Sequence, residues 1–146
     1  MGIVIELDGM YDHEGYAARR LPDGTLTSTW TAQTRQFTGY VAACACGWHA
    51  TSSHPPTDSG YDAATDQWYR THANQVLGRL AQRDRHELAE VLRTLGRSAD
   101  RVEDPANLDH ITRAAEHARR LAEQVRQTTR VIHQREATEP EVGRER

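Results

Sequence analysis

The sequence has no lysine, and all eighteen of its basic residues are arginine. It also has only one phenylalanine, two methionines and two cysteines. Hydrophobic residues make up 37% of the chain and the mean hydropathy is -0.79, and both values are low for a compact globule. Large aliphatic side chains are scarce before residue 75. The N-terminal half therefore cannot build a large core, and small domains of this kind often need a metal or a partner.

Long apolar runs are absent as well. No stretch approaches the roughly 20 apolar residues that a membrane-spanning helix requires. The first six residues have neither the basic start nor the apolar run of a secretory signal. We therefore expect a cytoplasmic protein. In that compartment two cysteines close in sequence are more often metal ligands or redox groups than a structural disulfide.

Positive charge is not in excess, since the net charge is -3. Residues 1–66 carry three arginines against eight acidic residues, whereas residues 67–101 carry seven arginines against four. Any contact with a polyanion would therefore fall on the second segment. The residues that could make it are Arg79, Arg83, Arg93 and Arg97. The absence of lysine itself is typical of a GC-rich genome, with an anion-binding surface as the alternative.

The N-terminal half is predicted to form a small antiparallel sheet. The Pro-Asp-Gly sequence at 22–24 indicates a turn, because proline presets the first turn dihedral and Asp and Gly tolerate the geometry that follows. The threonine-rich run at 25–30 has strand composition, so this region is expected to be a β-hairpin. A third strand is predicted at 38–44, with a short return at 48–51.

Three helices are predicted after residue 57. The first is expected to start with Asp58 or Ser59 as its cap. Residues spaced four apart after this cap would form one face of the helix. That face consists of Trp68, His72, Val76 and Leu80. A second helix is predicted from about Arg85 to Gly96. Its apolar face consists of Leu88, Val91, Leu92 and Leu95.

The third predicted helix has the clearest periodicity. Asp104 can cap it and Pro105 suits the first helical position. A heptad seam follows at Leu108, Ile111, Ala115, Ala118, Ala122, Val125, Thr129 and Ile132. The seam can pack against the second helix of the same chain, or it can pair with a second copy or a partner helix. The charged segment 137–146 is predicted to be disordered.

The two cysteines lie in the sequence Cys44-Ala45-Cys46-Gly47-Trp48-His49. Residues i and i+2 of a strand point to the same side, so Cys44 and Cys46 can present both sulfur atoms to one point. Gly47 permits the tight turn that a metal-binding knuckle needs.

His72 is the expected third ligand, because a helix folded back over the hairpin would bring its imidazole to the two sulfurs. Two thiolates and an imidazole favour zinc in tetrahedral geometry. His54 is the first choice for the fourth ligand. The alternatives are His49, His13, an aspartate or a water molecule.

Three other interpretations of the cysteines remain open. A redox-active dithiol is disfavoured, because its usual motif separates the cysteines by two residues and lies at a helix N-terminus. Both cysteines can instead be buried and inert. A catalytic zinc with an open coordination position is the third alternative, since only three ligands are easily identified.

The pattern Cys-x-Cys-Gly-Trp, followed by a polar loop and a helix with Trp-x-x-x-His, resembles a segment of small actinobacterial proteins. The resemblance covers residues 38–73. It implies a metal-binding module of strands and one helix in which Cys44, Cys46 and His72 occupy the motif positions. It does not imply a particular activity.

The predicted fold class is α+β, with a small antiparallel sheet packed on a helix through a zinc site and followed by a long helical hairpin or coiled coil. The predicted domains are a zinc-binding module at 1–83, a helical region at 84–136 and the tail at 137–146. The expected function is that of a non-enzymatic regulatory or adaptor protein that contacts a protein partner or a second copy through its C-terminal helices. The alternatives are a nucleic-acid-binding regulator that uses the arginines named above and a zinc-dependent hydrolase.

Overall fold

The computed structural model describes residues 2–99 and 104–136. The chain divides into two compact units, Met1–Val76 and Leu77–Arg146, which are described separately. The domain boundary predicted from the sequence lies seven residues later, after residue 83. The predicted disordered tail at 137–146 lies outside the described residues.

The first unit contains a three-stranded antiparallel sheet with the strand order β2-β1-β3. The strands are β1 (Gly15–Arg20), β2 (Leu26–Thr27) and β3 (Gly39–Cys44). The β1–β2 connection contains the predicted turn, in which Gly24 has a φ of 86° and the backbone N–H of Thr25 donates to Asp23 Oδ1 at 2.9 Å. Together with the helices, this sheet confirms the predicted α+β fold class.

Two short segments extend the sheet through isolated bridges, and the segment after β3 forms two of them, at His49 and His54. Ile3 pairs with Gly15 at the start of β1, and His49 pairs with Ala43 in the predicted return after β3. At the end of the sheet where β1 begins and β3 ends, the Ile3 segment therefore lies beside β1 and the His49 segment lies beside β3.

The helix of the first unit begins as α1 (Asp58–Gln67) and continues through a π-helical segment (Trp68–Ala73) into α2 (Asn74–Ser98). Thr57 is its N-cap, because its Oγ1 accepts the backbone N–H of Gly60 at 3.2 Å. The predicted cap, Asp58 or Ser59, was therefore one or two residues too late.

The predicted separate start of a second helix near Arg85 was wrong, because α2 runs through this position without a break. Residues 80–85 contain neither glycine nor proline, and leucine, alanine, glutamine and arginine all favour helix. Asp84, directly before the predicted start, is a buried helical residue with 4% of its surface exposed.

The core of the first unit lies between the sheet and the π-helical segment. Trp68, Met10 and Val41 are completely buried. Trp68 packs directly on Gly15, where a Cβ atom would lie only 2.1 Å from Trp68 Cδ2. The lack of a side chain at this position of β1 is what admits the indole.

The second unit contains an antiparallel helical hairpin. It consists of the part of α2 from Leu77 onward and α3 (Pro105–Glu136). Asp104 caps α3 as predicted, since its Oδ1 accepts the backbone N–H of Ala106 at 3.0 Å. Side-chain contacts between the two helices, such as His117 Nε2 to Glu87 Oε1 at 2.9 Å, show that they pack within the chain. Within the described residues, no helix has the length and apolar character needed to cross a bilayer.

The face that α3 buries is only partly the predicted seam. Ala118 and Leu121 are buried, as is Thr128, whereas Leu108 keeps 50% of its surface exposed and Ala115 is exposed. Leu121 and Thr128 are therefore buried more completely than the adjacent seam residues Ala122 and Thr129, which are half-buried. Part of that seam remains on the surface of the hairpin.

Candidate metal centre

Four side chains from three separate segments meet at one end of the sheet. They are His13, Cys44, Cys46 and His72, and their ligand atoms all lie within 4.8 Å of one another. His13 Nδ1 lies 3.1 Å from His72 Nε2, although these residues are 59 positions apart in sequence. This group of two thiols and two imidazoles could hold a metal ion.

The two cysteines reach the same point through a turn. Cys44 is the last residue of β3, whereas Cys46 lies in the turn that follows. The backbone N–H of Gly47 donates to Cys44 O at 3.0 Å, and Gly47 has a φ of 92°. The two sulfurs converge as predicted, but the predicted reason was wrong. Cys46 is not on the strand, and the turn at Gly47 brings the sulfurs together.

His72 is supplied by the π-helical segment. The residue is buried, with 5% of its surface exposed, and its Nε2 lies 3.3 Å from Cys46 Sγ. A π-helical turn contains more residues than an α-helical turn, and such turns occur often at functional sites. Here the wider turn starts at Trp68, so it contains both the main core residue and the imidazole.

His13 is supplied by the segment that precedes β1. Its backbone N–H donates to the carbonyl of the buried Met10 at 2.9 Å, which closes a turn around that core side chain. The ring is half-buried, and its Nδ1 lies 3.8 Å from Cys44 Sγ. The imidazole therefore contacts both the Cys44 sulfur and the His72 ring.

Two tryptophans contact the cluster. The Trp48 ring stacks on His72, with centroids 4.6 Å apart and planes inclined by 17°. Trp68 lies fully inside the unit, and its buried Nε1 has no nitrogen or oxygen acceptor among the described residues. Its N–H instead interacts with Cys44, where it favours the thiolate.

Burial raises the pKa of the Cys44 thiol above its usual value. The Cys46 thiol raises the pKa of Cys44 further. The backbone N–H of Cys46 and the Trp68 side chain each lower it. A metal must therefore displace a proton from Cys44 when it binds at neutral pH, because only the thiolate is a ligand.

The structure brings together three of the four ligands named from the sequence and places the fourth elsewhere. His54, the first choice, has its Nε2 2.9 Å from Gln67 Oε1, and it is not among the four clustered residues. His49 lies outside the cluster too. His13, named among the alternatives, completes the group.

The pairing of β1 with β3 is what brings His13 to the cluster. Gly15 of β1 faces Cys44 of β3 in the antiparallel sheet. His13 lies two residues before Gly15, and Cys46 lies two residues after Cys44, so this register brings both residues to the same end of the sheet. Composition and spacing do not give this register, so sequence reasoning did not distinguish His13 from the other histidines.

The arginines proposed for nucleic acid lie on α2, and three of them have partners within that helix. Arg83 forms an ion pair with the buried Asp84 at 2.8 Å, and Arg93 forms one with Glu90. Arg97 donates to Thr94 Oγ1 at 3.2 Å. The two ion pairs neutralise part of the positive charge that suggested a nucleic-acid-binding surface on α2.

Comparison with known proteins assigns the chain to no family. No protein-family model, curated protein or solved structure gives a match. What the site can do must therefore be inferred from its own residues.

Proposed function

We propose that the chain is a non-enzymatic, zinc-stabilised regulatory or adaptor protein. One zinc ion is held by His13, Cys44, Cys46 and His72 and stabilises the first unit, while the helical hairpin of the second unit contacts a protein partner or a second copy. The observation that carries the proposal is the convergence of four protein ligand atoms on one point.

Three of the six separations between the ligand atoms match tetrahedral zinc, and all six lie within 4.8 Å. With zinc–nitrogen and zinc–sulfur distances of about 2.0–2.1 and 2.3 Å, tetrahedral ligand atoms lie about 3.3–3.8 Å apart. The nitrogen–nitrogen separation is 3.1 Å and two sulfur–nitrogen separations are 3.3 and 3.8 Å. Each is within about 0.3 Å of the ideal value for its pair of atoms. Two sulfur and two nitrogen donors also favour zinc over the hard cations, which prefer oxygen.

A structural role fits the ligand set better than a catalytic one. Structural zinc has four protein ligands, whereas catalytic zinc keeps a position open for water or substrate. The four side chains of the cluster would fill a tetrahedral shell, which weighs against the hydrolase alternative. They also join three segments of the chain, so the free energy of zinc binding would become free energy of folding.

The zinc content of the purified chain tests the site. We expect about one zinc per chain when the protein is prepared without chelator, measured by inductively coupled plasma mass spectrometry. His13→Ala should lower the zinc affinity by roughly a hundredfold or more, because it removes one of four ligands from a site whose whole affinity depends on them. His54→Ala is the matched control and should keep its zinc. Loss of zinc from His54→Ala, with retention in His13→Ala, would contradict the ligand set.

The proposal for the hairpin is supported by apolar side chains that it leaves exposed. Leu92 of α2 and Leu108 of α3 keep 53% and 50% of their surface exposed. Leu108 and Ala115 belong to the predicted heptad seam of α3. Both remain exposed after α3 packs against α2. A second helix pair or a partner helix can cover these positions.

A charge placed on this surface should prevent association. We expect the full chain to be a dimer, or to bind its partner, and Leu108→Glu to weaken that association by roughly tenfold or more, since burial of a leucine contributes about 1.5–3 kcal/mol. Size-exclusion chromatography with light scattering over a concentration series measures the effect. Val4→Glu is the control, because Val4 is 49% exposed but belongs to the first unit. Equal association of both variants would contradict the role of the hairpin.

The nucleic-acid alternative has less support, because the ion pairs of Arg83 and Arg93 with Asp84 and Glu90 reduce the charge available for phosphates.

A further inference from the structure

The two cysteines of the cluster are not equivalent. Cys44 is buried, with 2% of its surface exposed, whereas Cys46 is exposed to solvent. Cys44 ends a strand of the sheet and interacts with the Trp68 N–H in the interior. Cys46 lies in the turn, next to Gly47, where an added Cβ would meet no atom within 4 Å. Cys44 is thus an enclosed residue of the cluster, whereas Cys46 is a surface residue of the same cluster.

We propose that Cys46 is a modification site, at which the metal-bound thiolate attacks a peroxide or another soft electrophile and the zinc is then released. The inference rests on the proposed zinc site and adds to it a means of regulation. Reaction at a cysteine requires both thiolate character and access. Bound zinc would hold both sulfurs as thiolates, so access decides between them, and of the two residues Cys46 is the exposed one.

The reaction with a peroxide balances without a further reagent. The Cys46 thiolate attacks one peroxide oxygen, so that a sulfur–oxygen bond forms, the oxygen–oxygen bond breaks and hydroxide leaves. The product is a sulfenic acid at Cys46. The Cys44 thiolate then attacks that sulfur and displaces a second hydroxide, which gives a Cys44–Cys46 disulfide. The two thiolates together lose two electrons, which reduce the peroxide.

The second step is favoured by the position of Cys44. The ligand atoms of the two cysteines lie within 4.8 Å of each other, and one residue separates them in sequence. A sulfenic acid with a thiolate this close condenses to a disulfide. Zinc would then lose two of its four ligands, and the link between the sheet and the helix would open.

Oxidation of the zinc-loaded full chain tests the inference. Zinc content is measured first, and substoichiometric hydrogen peroxide is then added in the presence of dimedone, which traps sulfenic acid. We expect peptide mass spectrometry to find dimedone on Cys46 at least roughly tenfold more often than on Cys44, because exposure governs access. Without dimedone, one zinc should be released for each disulfide formed, as measured with a chromogenic zinc chelator.

Limited alkylation of the zinc-loaded chain with N-ethylmaleimide gives an independent measurement, in which Cys46 should again react first. Equal or faster modification of Cys44 would overturn the inference, and so would retention of zinc after Cys46 is oxidised. A chain that binds no zinc before peroxide is added would refute the proposed zinc site and this inference together. A chain that binds one zinc and keeps it through oxidation would refute only the inference.

Discussion

Removal of the metal is expected to unfold the first unit and to leave the helices of the second unit largely intact. Apparent binding free energies of structural zinc are about 10–16 kcal/mol, which is comparable to the whole stability of a domain at about 5–15 kcal/mol. The first unit has few large aliphatic side chains, and the completely buried residues of its core include Trp68, Met10 and Val41. Without zinc, the segment that carries His13 would lose its link to the helix.

Circular dichroism distinguishes the two units. Addition of a strong chelator should abolish the near-ultraviolet signal of Trp48 and Trp68, while most of the far-ultraviolet helical signal remains. Cys44→Ser should give the same result without chelator, because serine cannot supply the thiolate. His54→Ala is the control that keeps its near-ultraviolet signal. An unchanged near-ultraviolet spectrum in excess chelator, with the zinc shown to be removed, would refute the structural role of the metal.

Gly15→Ala is expected to destabilise the first unit by about 3 kcal/mol or more. The new Cβ would lie 2.1 Å from Trp68 Cδ2, so either the indole or β1 must move. Overpacking of a core typically costs about 1–3 kcal/mol, and here the obstacle is a fully buried ring rather than a flexible side chain. Movement of Trp68 would also displace the π-helical segment that supplies His72, so zinc affinity should fall with stability.

Urea denaturation of the zinc-loaded chain, followed by tryptophan fluorescence, measures this change in the free energy of unfolding. The matched control is Gly78→Ala in α2, where an added Cβ meets no atom within 4 Å. That substitution should be neutral or should stabilise the helix by up to about 1 kcal/mol, because alanine favours helix. If Gly15→Ala proves as stable as Gly78→Ala, the close packing of Trp68 on β1 is not the basis of the core.

Local sequence was sufficient for several parts of the fold. The turn at Pro22-Asp23-Gly24 and the start of α3 at Asp104-Pro105 are each specified by a few adjacent residues, so both could be predicted. The exposed Leu108 and the buried Leu121 illustrate the limit of such reasoning. In an alanine-rich helix two neighbouring stripes are almost equally apolar, and only the partner helix decides which one is covered.

For the metal centre, the sequence by itself determined that Cys44 and Cys46 lie close together beside a turn glycine, because this depends only on adjacent residues. The tertiary structure decided that His13 rather than His54 faces them. His54 is nearer to the cysteines in sequence, but its ring contacts Gln67 of α1. His13 reaches the site because β1 pairs with β3 in one register, and that register is a long-range property that no local pattern encodes.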